Sequence, residues 1–395
     1  MENQKTDAWI LPKRVIGFTE QFVRNNPEEN RTSCHTMSTL IKRGILWLGV
    51  CLVLPMLGVW LAGWDLAPFL TFPPVVRDIG EIGFSVPVGW FYWLGMGALF
   101  TWLLWRRGNL SIQEGIGSSH KFPFWGWLGV LWTGIIWWLA WSRLDSFAWG
   151  QKYTFSPLWF GYIVVVNAWI QSRSGKCPML EKPKLFLALF PVSAVFWWVF
   201  EYYNRFVQNW IYLNSDVSAV EYFVHATIAF STVLPAVYST AEALLTFPGL
   251  QRAMTGPKLK FKQGKGLALA VLGVCTVAFL LIGVFPRILY PLLWTGPFLI
   301  WLALSALAGD PEDFGRVEKG DWRKVWSWAL AALICGFFWE MWNSHSLAKW
   351  IYQVPYLHGG LIFEMPLAGY LGYLPFGLEC GVVTGLVARV LSGRR

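Results

Sequence analysis

Two stretches of this chain set the same polar side chains at nearly the same spacing. Glu201 is followed by Asn204, Trp210 and Tyr212, and Glu340 by Asn343, Trp350 and Tyr352. Each Glu lies three residues before its Asn. Six residues then separate Asn204 from Trp210, and seven separate Asn343 from Trp350. Trp-Ile-Tyr is identical in the two copies. Residues three apart on a helix share a face, so each stretch offers a carboxyl beside an amide. A carboxyl in apolar surroundings resists ionisation and can act as a general acid near neutral pH. On this reading Glu340 or Glu364 is the acid, Asn204 and Asn343 orient it, and Glu201 belongs to the same pocket. Further carboxyls follow each copy: Glu221 and Glu242 after the first, Glu364 and Glu379 after the second.

Each of these residues also has a structural reading. Glu340, Glu364 and Glu379 in apolar surroundings cost about 2.5–3.5 kcal/mol apiece at membrane depth. They either serve a site or hydrogen-bond packed helices together. Arg205 lies four residues after Glu201, the spacing of a helical ion pair. Glu221 and His225 have the same spacing; they form an acid–base pair, two ligands, or an interfacial hydrogen bond. His225, His345 and His358 fall in neighbouring segments, but no HExxH-like spacing accompanies them. No metal and no cofactor are therefore expected. Trp210, Tyr212, Trp350 and Tyr352 read as interfacial anchors or as walls of a groove for a lipid tail. Arg143 and Asp145 read as an ion pair in a solvated turn.

The elements that must position these residues are apolar. The chain has 395 residues, 55% hydrophobic and only 14% charged, with 28 Trp. A soluble domain carries about 25% charged residues. Ten stretches read as spans: 44–63, 87–105, 124–142, 157–172, 185–203, 219–246, 266–285, 288–308, 325–343 and 361–390. Each is near the ~20 residues needed to cross ~30 Å of hydrocarbon. The pair within 266–308 also reads as one re-entrant unit, and Pro366 and Pro375 give the last stretch places to break. With both termini cytoplasmic, 32 Lys and Arg divide so that only Arg77, Arg143, Lys152, Arg205, Arg287 and Lys349 lie outside. That asymmetry supports this orientation and a multi-pass inner (plasma) membrane protein.

The expected fold is thus an all-α bundle of about ten spans with a duplicated helical hairpin. Residues 1–43 form a polar segment with a short amphipathic stretch. Residues 44–246 carry the first hairpin, 247–265 a basic linker, and 266–395 the second hairpin. The net charge of +9 resides in loops, and no zinc-finger or RNP-like pattern points to nucleic acid. None of the six Cys forms a CxxC pair. The expected partners are membrane lipids and an apolar or lipid-like small molecule.

The segments Trp197–Tyr212 and Phe363–Glu379 resemble a group of polytopic bacterial inner-membrane proteins carrying WWxFExxN…NWxY and FEMPxxGxLGYxPFxxE. That resemblance covers about the last half of the chain and implies no particular activity. More distantly, the duplicated helices with Trp-x-Tyr and a Pro/Glu-bearing segment resemble the integral-membrane lycopene cyclases. In that family carboxylates protonate a polyene, whereas here Phe363-Glu364-Met365-Pro366 reverses the order of Glu and Pro. Three functions stay open: a lipid- or isoprenoid-modifying enzyme, a transporter with a carboxylate relay, and a non-catalytic membrane scaffold.

Overall fold

Long runs of Leu, Val, Trp and Phe, free of charge, have no route to satisfy their backbone in lipid except as helices. The computed structural model describes residues 33–77, 80, 83–105, 120–213, 217–259, 264–309 and 315–392. The amphipathic stretch expected near the N-terminus lies outside them, as do Arg106, Arg107, Asp310, Glu312 and Asp313. Helices lie over all ten predicted stretches: α1 (Ser33–Leu61), α2 (Val86–Trp105), α3 (Phe124–Ser142), α4 (Phe155–Ser174), α5 (Pro183–Val207), α6 (Ala219–Ser231), α7 (Val233–Leu244), α8 (Lys265–Leu281), α9 (Leu292–Leu307), α10 (Arg323–Ser344) and α11 (Tyr373–Leu391). Among the described residues six segments are long and apolar enough to cross a membrane: Lys42–Leu61, Phe124–Ser142, Pro183–Val207, Ala219–Leu244, Arg323–Ser344 and Leu367–Leu391. The region 266–308 forms two separate helices of 17 and 16 residues, α8 and α9, packed along each other.

Small residues and side-chain hydroxyls bring the helices together. Gly126 and Gly129 of α3 meet Ala168 and Val164 of α4, and Gly161 of α4 meets Thr133. A methyl at any of these glycines would fall within 3.0 Å of a neighbouring atom, so the close approach requires glycine. The helical ladder breaks between α6 and α7, where Pro235 has no amide to donate to the preceding turn, and Ser193 of α5 enters the gap. Its Oγ donates to the Phe230 carbonyl at 2.5 Å and accepts from the Leu234 amide at 3.0 Å. A buried seam of Asn167, Ser239, Tyr162, Thr240 and Cys335 joins α4, α7 and α10.

Helices from both parts of the chain interleave: α10 packs on α7, and α1 on α8. Two short ribbons complete the fold. β1 (Trp210–Leu213) pairs antiparallel with β2 (Lys349–Tyr352), placing Trp210 opposite Tyr352 and Tyr212 opposite Trp350. β3 (Leu361–Ile362) pairs with β4 (Met365–Pro366). The last apolar stretch therefore breaks before Tyr373, with Pro366 in β4 and Pro375 in the first turn of α11. Glu364 sits at the tip of this hairpin and does not open a helix, because the residues around it pair as strands. It consequently does not share a helix with Glu379.

Candidate functional site

The β1–β2 ribbon lies where α5 and α10 end, and each Glu–Asn pair holds one of its strands. The Asn204 Nδ2 donates to the Trp210 carbonyl at 2.8 Å, and its Oδ1 accepts from the Asn209 and Trp210 amides at 2.7 and 3.3 Å. Asn343 repeats the clamp: Nδ2 donates to the Trp350 carbonyl and Oδ1 accepts from the Trp350 amide, both at 2.8 Å. The amides thus hold the strands. They do not orient the carboxyls as expected, because the backbone groups of the incoming strand occupy their hydrogen-bonding positions.

Glu201 and Glu340 hold the strands' side chains. One Glu201 oxygen, Oε1, accepts from the Tyr212 hydroxyl at 2.6 Å and the Trp210 and Trp197 indoles at 3.0 and 3.2 Å. The Glu340 Oε1 accepts from the hydroxyls of Tyr352 and Tyr373 at 2.7 and 2.8 Å, while Oε2 is buried without a partner. The Trp350 indole donates to the Tyr352 hydroxyl at 2.9 Å. Glu201, Glu340 and Asn343 are fully buried. The four ribbon aromatics are buried or half-buried and turn towards these carboxyls, which corrects their reading as interfacial anchors. Burial, and then the adjoining carboxylate, raises the Tyr212 and Tyr352 hydroxyls well above their ordinary pKa. Between the two stations lies an aromatic core in which Trp197 and Trp339 stand 6.2 Å apart and both meet Phe376.

Other expected pairings do not form. Arg205 makes no direct ion pair with Glu201 and donates through Nη1 to the carbonyls of Phe69 and Thr71 at 3.0 and 2.6 Å. Glu221 pairs with Lys152 at 3.0 Å and accepts from the Tyr153 hydroxyl, while His225 stacks on the Tyr153 ring at 4.0 Å. Glu221 also opens α6, where the Ser218 hydroxyl caps its amide at 3.2 Å. Glu364 pairs with Lys349 at 2.6 Å, the two being about one-quarter exposed. Glu379 is buried and accepts from the Phe298 amide at 3.1 Å, just after Pro297 in α9. Arg143 donates to the Ala140 carbonyl, Gln151 and the His345 carbonyl, and not to Asp145. Among the described residues no three His, Cys, Asp or Glu gather as a metal site would require.

An open groove of about 440 Å³ lies beside the first station, and none of the carboxyls lines it. Its walls are Phe69, Leu70, Phe72, Trp198, Tyr202, Arg205 and Phe223. Trp198 and Phe223 stack at 5.5 Å, with Phe72 at 6.1 and 6.4 Å from them. Arg77 lies over the Phe69 ring at 4.0 Å and donates to the carbonyls of Arg205 and Phe206. Burial lowers the Arg77 pKa. Neither guanidinium is in direct contact with a carboxylate among the described residues. The sequence gives no periodic signal for this groove, since three of its walls come from segment 62–77, where the only helix is the single turn Ala67–Leu70. Comparison with family models, curated proteins and solved structures returned no match.

Proposed function

We propose that this chain is a multi-pass inner-membrane protein, with cytoplasmic termini and an exoplasmic ribbon, that holds a lipid or isoprenoid chain in the groove beside α5. The carrying observation is the open aromatic trough of Phe72, Trp198 and Phe223 ending at a half-buried arginine. Its volume falls within the ~300–1,000 Å³ of small-molecule sites. The two Glu–Asn stations are joints in this reading. Asn204 and Glu201 fix the end of α5, the helix that carries Trp198, Tyr202 and Arg205. The general-acid role of Glu340 loses support because both hydrogen bonds made by its carboxyl go to the protein's own tyrosines.

The test is mass analysis of lipids retained by purified protein, beside total lipid extracts of the cells. A Trp198→Ala/Phe223→Ala protein is expected to retain less lipid while remaining folded. Unchanged retention would overturn the groove assignment. An altered cellular lipid profile with a folded Glu340→Gln protein would restore the enzymatic reading.

A further inference from the structure

We infer that the groove selects a singly charged phosphodiester lipid, with the phosphate bound by Arg205 and one acyl chain against Trp198 and Phe223; this rests on the lipid-chain reading above. Arg205 spends Nη1 on two backbone carbonyls. Its Nε and Nη2 have no protein acceptor among the described residues, and Arg205 lines the groove. Those two N–H groups form one edge of the guanidinium fork, the geometry that takes two phosphate oxygens side by side. The carbonyls on Nη1 hold the fork in place before the ligand arrives, which lowers the ordering cost of binding.

Charge limits the ligand further. Arg77 is committed to the Arg205 and Phe206 carbonyls and the Phe69 ring, and its Nε is fully enclosed. One guanidinium edge without a protein acceptor, that of Arg205, is therefore left on a residue that lines the groove. It matches the single negative charge of a phosphodiester. A diphosphate or phosphomonoester carries more charge than one guanidinium neutralises. Phosphate binding also leaves the tyrosine and indole groups of the first station undisturbed, since Glu201 faces the ribbon.

The experiment is native mass spectrometry of the full-length protein in nanodiscs of a phosphate-free lipid, digalactosyldiacylglycerol, containing either phosphatidylglycerol or an undecaprenyl phosphate. Wild type is expected to retain phosphatidylglycerol on the order of tenfold better than the phosphate-free galactolipid, the worth of one charge-assisted contact. It is also expected to retain it better than the polyprenyl monoester. Arg205→Gln should abolish that preference while chain retention persists. Arg205→Lys keeps the charge without the fork and should lower the preference; it also serves if the Gln protein fails to fold. Equal retention of the galactolipid and phosphatidylglycerol by wild type would overturn the headgroup assignment alone. A preference for the monoester, or one unchanged in both variants, would do the same. Retention of no lipid would overturn the chain reading with it.

Discussion

The two stations build the same joint with different numbers of bonds. At the first, one oxygen of Glu201 gathers a hydroxyl and two indoles, and Asn204 makes three backbone bonds. At the second, Glu340 gathers two hydroxyls and Asn343 makes two backbone bonds. The spacer there is one residue longer, and the Trp350 indole stops at the Tyr352 hydroxyl, whereas that of Trp210 reaches its carboxyl. The amide clamp tolerates an inserted residue because it grips whichever backbone arrives. The indole contact changes with spacing. Glu340 recovers a donor from Tyr373, a residue of α11.

This asymmetry sets an order of effects on thermal unfolding in detergent. Glu201→Ala strands three donors, each worth about 1–3 kcal/mol when buried unpaired, so a loss of at least ~3 kcal/mol is expected. Glu340→Ala strands two donors and should cost less. Equal losses would break the comparison. Asn204→Ala should follow at about 2 kcal/mol, with Asn343→Ala below it, because one fewer backbone group loses its partner. Tyr373→Phe should cost about 1 kcal/mol, the worth of one hydrogen bond to Glu340.

Alkali probes both stations together. The Tyr212 and Tyr352 hydroxyls have pKa values raised in the folded state, so the folded chain holds their protons more tightly. Their contribution is complete below pH 10 and declines as pH rises beyond it, with their own phenolate absorbance, read as the difference between wild type and a Tyr212→Phe/Tyr352→Phe protein, appearing only on unfolding. Early absorbance in that difference, from the folded protein, would show that solvent reaches the ribbon. Lys349→Ala should have the smallest effect, within ~1 kcal/mol and fading with salt, because the Lys349–Glu364 pair is partly exposed.

Much of this architecture is legible in the residues, and the limits have physical causes. Charge-free runs force helices, so helices lie where the runs lie. The Glu–Asn–Trp–Tyr spacing marks both stations, because those contacts are local. Glu364 is misplaced in the helical reading because LeuIlePhe and MetProLeu are equally apolar as helix or hairpin. The pairing of Trp210 with Tyr352 spans distant parts of the chain, and no periodicity announces a four-residue strand. Arg205 is drawn to Glu201 by spacing alone, whereas the carbonyls that hold it come from a loop more than 130 residues away. The partnership of Glu340 with Tyr373 is equally invisible without the fold.

The basic linker meets the segment before α10 at the end of the bundle opposite the ribbon. Thr255 bridges Asp321, the Gly256 amide donates to Gly320, and the Trp322 indole donates to Pro257. Arg323 and Arg316 pair with Asp321 and keep its pKa low despite burial, so this contact is retained until acid protonates the carboxylate. The early and late parts of the chain are consequently stitched at both poles of a helix about 33 Å long. A rocking exchange of access from one side to the other would have to unpick one of these seams in every cycle. On the proposed groove reading, a lipid would instead arrive sideways from the bilayer while both seams stay closed.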